Sequence, residues 1–90
     1  MAYTPVFSPR FKRDYKKLQT SSRAISATDQ VIRLLVAGFR IPPKHRDHAL
    51  KGEWNSYREC HILPDLLLIY KIQGSQLSLV RLGSHAELFE

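Results

Sequence analysis

The sequence predicts an α+β fold: an N-terminal strand and a helical hairpin packed on an antiparallel sheet of three or four strands, in the order β-α-α-β-β-β with a short C-terminal tail. Three observations predict it. Residues 8–39 carry apolar side chains at helical spacing between a Ser-Pro start and a Gly stop followed by Pro-Pro. Residues 54–82 hold three short apolar runs separated by Pro64-Asp65 and Gly74-Ser75. Ninety residues, 43% of them hydrophobic, suffice for one modest core and make a disordered chain unlikely on composition. One domain over residues 1–90 is therefore expected.

The elements follow in order. Ala2–Phe7 alternates its side chains, and Pro5 restricts it to an edge or irregular strand. Ser8 is placed to cap the first helix and Pro9 to occupy its first position. Phe11, Tyr15 and Leu18 then form one stripe at i, i+4 and i+7. Arg10, Lys12, Arg13, Lys16 and Lys17 cover the remaining faces, with like charges at i, i+4 in Lys12–Lys16 and Arg13–Lys17. Two readings stand side by side: a solvated face, or a surface whose repulsion an anion relieves. Thr20-Ser21-Ser22 breaks this helix and can cap the next, although Ser26-x-x-Asp29 also has the form of a capping box. Ile25, Thr28, Ile32, Leu35 and Phe39 share one face of the second helix, widened by Val31, Leu34 and Val36.

Arg40 to Glu53 reads as a long polar loop, a feature often tied to function. The strands are Trp54–Leu63, Leu66–Ile72 and Leu77–Leu82, and the middle one is apolar enough to be covered on both faces. Strand alternation puts Tyr57, Glu59 and His61 on one side of the first of these strands, and Arg58, Cys60 and Ile62 on the other. The tail begins at His85 and carries Leu88 and Phe89 for docking.

The net charge of +6 favours a polyanionic partner, nucleic acid first and an acidic protein second. A single cysteine excludes an internal disulfide and fits a reducing cytosol. No apolar run reaches the roughly 18 residues of a membrane span, so a cytoplasmic protein without membrane contact is expected. Metal binding is not supported. His45-x-x-His48 lies in a Pro-flanked loop, and Cys60 and His61 point to opposite faces of a strand. No cofactor motif is present. Cys60 reads as a small core residue.

Acid–base cleavage of RNA needs less than a metal site does, because the ribose 2′-hydroxyl is the nucleophile. The enzyme supplies a base, an acid and cations, and each well-placed proton-transfer group is worth about 10²–10⁴ in rate. Imidazole suits both roles because its unperturbed pKa, about 6.5, lies near neutrality. His48, His61 and His85 are the candidates. Glu59 or Asp65 can orient one of them, and Arg81 can stabilise charge on the phosphorane.

A run of spaced residues then bears a resemblance. Asp47-His48-x-Leu50-x-Gly52-x-Trp54-x-x-Tyr57-Arg58-x-x-His61-x-x-Pro64-Asp65-x-x-Leu68-Ile69-Tyr70-Lys71, followed by Arg81-x-Gly83-x-His85-x-x-Leu88-Phe89, resembles the YafQ branch of RelE-type toxins of bacterial toxin–antitoxin modules. It is dense in the C-terminal half; the N-terminal half agrees in its strand–helix–helix order. The resemblance implies the RelE-like fold and a ribosome-dependent, metal-independent endoribonuclease that cuts mRNA in the decoding site. It implies a cognate antitoxin, acidic and DNA-binding, and operator DNA as a ligand of the complex. It places catalysis on His48, His61, Asp65 and His85, with Phe89 beside the codon. His48 is then the general base and His85 the acid for the 5′-leaving oxygen, while His61 and Asp65 shape the site. Glu59 stands where this branch commonly has Asp. Lys12, Arg13, Lys16 and Lys17 acquire ribosomal RNA phosphates or an acidic antitoxin segment as partners. The competing classes are a non-catalytic toxin of the same fold that grips a protein such as a topoisomerase, and a plain RNA-binding module. The histidine set argues against the first. The second lacks an open platform of stacking aromatics.

Overall fold

Ser8 links the first strand to the first helix. In the computed structural model, which describes residues 2–89, its hydroxyl accepts from the Phe11 amide at 2.9 Å and donates to the Val80 carbonyl at 2.8 Å. One side chain thus caps α1 (Pro9–Lys17) and ties its start to the last strand of the sheet. α2 (Ser22–Ala37) is capped by Ser21, so the Thr-Ser-Ser signal sets its start and Ser26 lies inside it. It ends at Gly38, whose φ of 80° is left-handed. A Cβ there would approach the Ala2 Cβ to 2.7 Å, so glycine is required twice over.

The sheet has five strands: β1 (Thr4–Phe7), β2 (His48–Ala49), β3 (Arg58–Leu63), β4 (Leu66–Gln73) and β5 (Gln76–Gly83), in the spatial order β1-β5-β4-β3-β2. The meander of β3, β4 and β5 is antiparallel, as predicted. β1 joins it in parallel beside β5, at the edge that Pro5 allows. The sheet is therefore mixed, because the two helices intervene between β1 and the strands it joins. β2 is the unexpected fifth strand, two residues within the predicted loop that pair with β3 at the other edge.

Three boundaries differ from expectation. β3 starts at Arg58 rather than Trp54, because Gly52–Trp54 forms a 3₁₀ turn entered through a positive φ at Gly52. The buried stripe of α2 is Ala24, Thr28, Val31 and Leu35, and Phe39 lies exposed beyond the helix end. Thr28 tolerates full burial because its hydroxyl donates to the Ala24 carbonyl at 2.8 Å. The tail is helical: α3 (His85–Phe89) starts from a capping box. The Ser84 hydroxyl accepts from the Glu87 amide at 3.2 Å and the Glu87 carboxylate from the Ser84 amide at 2.8 Å.

The core lies between the helices and one face of the sheet. Phe11, Val31 and Leu35 meet Cys60, Ile62, Leu68, Tyr70, Leu77, Leu79 and Leu82 there. Leu77, Leu79 and Leu82 all face inward because the register shifts at Val80: Tyr70 pairs with Leu79 and Ile69 with Arg81. β4 is buried from Leu66 through Tyr70, with Leu67 and Ile69 outside the helix-side core, as a strand covered on both faces requires. Asp14 is the anomaly of α1. Its carboxylate is buried, accepting from Arg81 Nε at 2.9 Å, Arg81 Nη2 at 3.4 Å and the Leu82 amide at 2.9 Å. Three donors offset its desolvation and pin α1 to β5.

Candidate functional site

β3 presents Glu59 and His61 on the side away from the helix-facing core, where they pair across the ladder with Ile69 and Leu67. Cys60 and Ile62 point the other way and are buried, as strand alternation predicts. Burial pushes the Cys60 thiol up to about 12, so it stays protonated and inert near neutrality.

β2 pairs His48 directly with Glu59, which brings the loop histidine to the same carboxylate. His48 Nε2 and His61 Nε2 each lie 3.5 Å from Glu59 Oε1. The Glu59 side chain is 8% exposed, so this buried carboxylate sits between two imidazoles. The spacing exceeds the 2.7–2.9 Å of a direct charge-assisted bond and is an electrostatic contact. Next in the row, the His61 and His85 rings meet edge-on with centroids 5.7 Å apart. The Phe89 ring lies 6.5 Å from that of His85, on the same short helix.

His85 stands at the start of α3, where the β3–β4 turn meets it. Asp65 Oδ1 accepts from the His85 backbone amide at 3.1 Å and from its Nδ1 at 2.8 Å. These two bonds, the backbone one foremost, hold the Asp65 carboxyl below its ordinary value although it is exposed. The Glu87 carboxyl is lowered by Ser84, with a smaller contribution from Lys17, which puts the end of α1 near α3.

Hydrogen bonding settles which ring nitrogen carries the proton. His48 Nδ1 lies 2.6 Å from the Arg46 carbonyl and His45 Nδ1 lies 2.7 Å from the His61 carbonyl. A carbonyl only accepts, so Nδ1 donates in both, and Nε2, which in His48 faces Glu59, is the nitrogen that can exchange a proton with substrate. The same holds for His85 facing the Asp65 carboxylate.

The structure thus brings His48, Glu59, His61, His85, Asp65 and Phe89 into one continuous row. Arg81 is set apart by its bonds to Asp14. Of the four α1 cations predicted to meet RNA or antitoxin, Lys17 is close enough to Glu87 of α3 to lower its carboxyl, while Lys12 flanks a groove with Phe7 and Phe11. Arg13 and Lys16 are exposed. The sequence marks the Lys44–His48 run as a mixture of cations and titratable groups but assigns no site role to the cations nearest the row. Lys44, His45 and Arg46 line a cleft of about 720 Å³ together with His61 and His85, against a wall of Ala27, Val31, Leu34 and Ile62. Nor does the sequence assign a role to Asp47, whose carboxylate accepts from Tyr70 Oη at 2.6 Å and from Arg58 at 3.2 and 3.3 Å. The signal was the single carboxylate, Asp47, among the cations and imidazoles of Lys44-His45-Arg46-Asp47-His48 in a long polar loop. Among the described residues, no group of three or more His, Cys, Asp or Glu side chains is arranged to hold a metal ion, and no helix is long and apolar enough to cross a membrane.

A mixed sheet backed by two helices, with this row on its open side, defines the class: a small toxin of the RelE type. The solved DinJ–YafQ toxin–antitoxin complex of Escherichia coli contains a chain of this fold, with a TM-score of 0.90 and 31% identity over 100% of both chains. The family model described as "Bacterial toxin of type II toxin-antitoxin system, YafQ" matches residues 3–90, and the chain belongs to that family. The curated mRNA interferase toxin YafQ of Escherichia coli K12 is 33% identical over 84 residues, covering 92% of this chain and 91% of its own. A metal-bound toxin from Helicobacter pylori is 42% identical with a TM-score of 0.87, over 97% and 99% of the two chains.

Proposed function

We propose that this protein is an mRNA endoribonuclease that inhibits translation by cutting message on the ribosome, and that it is held inactive by a cognate antitoxin. The observation that carries this reading is the unbroken row His48–Glu59–His61–His85–Asp65. In this mechanism His48 Nε2 takes the proton of a ribose 2′-hydroxyl, and the 2′-oxygen attacks the adjacent phosphorus. The bond from phosphorus to the 5′-oxygen breaks, and His85, entering the step as an imidazolium with its Nδ1–H on Asp65, gives its Nε2 proton to that oxygen. The products are a 2′,3′-cyclic phosphate and a 5′-hydroxyl end. Asp65 orients His85 through Nδ1. Glu59 and His61 hold charge balance between base and acid, and Phe89 contacts the nucleotide beside the scissile link, while Arg81, bound to Asp14, takes no part in the step.

The antitoxin reading rests on family membership and on the DinJ–YafQ complexes of Escherichia coli. The exposed cations of α1 suit both ribosomal RNA phosphates and an acidic antitoxin segment. Operator binding by the complex and a cytoplasmic location complete the proposal.

Purified toxin is mixed with ribosomes programmed with a defined message, and with the same RNA alone. Cleavage of the ribosome-bound message, leaving 5′-hydroxyl ends, is the expected result. His48→Gln and His85→Ala each lower the rate by about 10²–10⁴. Variants as active as wild type remove the chemistry from these residues. Growth arrest without any new RNA ends favours a non-catalytic toxin that grips a protein.

A further inference from the structure

We propose that Asp47 is a positioning residue that fixes the tautomer and placement of His48, an inference that rests on the reading of His48 as the general base. His48 belongs to a two-residue strand at the sheet edge, and its side chain is 50% exposed. Such a residue ordinarily samples several rotamers and both tautomers. Here three observations converge on its neighbour. Asp47 accepts from Arg58 Nε and Nη2 at 3.2 and 3.3 Å and from Tyr70 Oη at 2.6 Å. Arg58 and Tyr70 are directly opposed across β3 and β4, so the carboxylate grips both strands. Tyr70 is 1% exposed and cannot follow a moving loop.

The register makes the consequence specific. Asp47 and His48 are adjacent, as are Arg58 and Glu59. One neighbouring pair, Asp47 with Arg58, clamps the loop. The other, His48 with Glu59, is thereby set face to face. On the other side of Asp47, Arg46 is the one non-glycine residue with positive φ among the described residues, at 49°. A left-handed conformation at arginine persists only where its surroundings impose it. It turns the Arg46 carbonyl to within 2.6 Å of His48 Nδ1. The carbonyl fixes a proton on Nδ1, so Nε2, which faces Glu59 at 3.5 Å, is the nitrogen that exchanges a proton with a 2′-hydroxyl. Clamp, strained residue and tautomer form one chain of cause.

The test is a long-range proton–nitrogen correlation spectrum of the imidazoles in the toxin, alongside ribosome-programmed cleavage. Wild type shows His48 as the Nδ1–H tautomer. Asp47→Asn keeps an acceptor for Tyr70 but loses the charge facing Arg58. It shifts His48 toward the Nε2–H form and lowers kcat about 10- to 100-fold with KM little changed. Adding Arg46→Gly, which relaxes the left-handed residue, restores part of the rate. If Asp47→Asn and Tyr70→Phe both keep the Nδ1–H tautomer and cleave within about twofold of wild type, the positioning role is overturned. Should Asp47→Ala fail to fold, those two variants still decide the matter. A His48→Gln toxin with full activity removes the catalytic reading instead, and the tautomer spectrum continues to judge the clamp on its own.

Discussion

Replacing Asp14 by alanine removes the acceptor of three hydrogen bonds at once. Arg81, 16% exposed at its side chain, is left with a cation facing a buried space, and the Leu82 amide loses its partner at a residue 3% exposed. Breaking one partner of a buried ion pair costs about 3–5 kcal/mol, and an orphaned buried amide about 1–3 kcal/mol within or beyond that. We therefore expect a loss of about 4 kcal/mol, against a total of about 5–15 kcal/mol for a domain of ordinary stability. For a chain of this length each kcal/mol moves the melting temperature by about 4–8 °C, so Tm falls by at least about 15 °C. Urea unfolding followed by far-ultraviolet circular dichroism measures the change. The paired replacement Asp14→Leu with Arg81→Met leaves no buried charge and recovers the ion-pair part of the loss, while the Leu82 amide stays without its acceptor. Asp29→Ala is the control, since Asp29 accepts a single 2.8 Å bond from the half-buried Tyr15 hydroxyl, and about 1 kcal/mol is expected. A destabilisation by Asp14→Ala below about 1 kcal/mol would refute the claim that this carboxylate holds α1 to β5.

Further outcomes follow from the same contacts. Tyr70→Phe deletes the 2.6 Å bond to Asp47 and should cost about 1–2 kcal/mol in urea unfolding, with the β2 amides exchanging faster than those of β4. The Asp65 and Glu87 carboxyls are both lowered in the fold, so their support of α3 is complete above the ordinary carboxylate range and is lost as pH falls through their folded values. The Ser84 and His85 amides, which donate to these carboxylates, should thus lose exchange protection as pH falls below about 5, and protection kept down to about pH 3 contradicts the assignment. Gly38→Ala meets both a φ of 80° and a 2.7 Å approach to Ala2, and should cost about 1–3 kcal/mol in thermal melts. Cys60, buried with its thiol raised to about 12, should react with a thiol reagent only at the rate of unfolding, so fast labelling of native protein rejects its placement.

The resemblance and the residues made the site partly legible before any coordinates. Tyr57-Arg58-Glu59-Cys60-His61 reads as a strand, and strand alternation alone separates Glu59 and His61 from Cys60. The α3 capping box is present in Ser84-His85-Ala86-Glu87, but a five-residue helix leaves no periodic stripe, so periodicity alone predicts a tail there. β2 left no signal, since two residues show no alternation and pair only because β3 offers an edge.

What the amino-acid order by itself determined is local: where helices begin and end, which strand residues share a face, how much positive charge the chain carries, and that four histidines are available. Caps, turns and periodicity act over a few residues, so they can be read from neighbours along the chain. What only the tertiary structure decided is which distant groups become partners. Asp14 is buried because Arg81 reaches it from 67 residues away, and Asp47 clamps its loop because Tyr70 lies 23 residues along. A carboxylate in the sequence carries no mark of its burial. Its desolvation is tolerated only where the fold delivers donors, and that delivery depends on the packing of the whole chain.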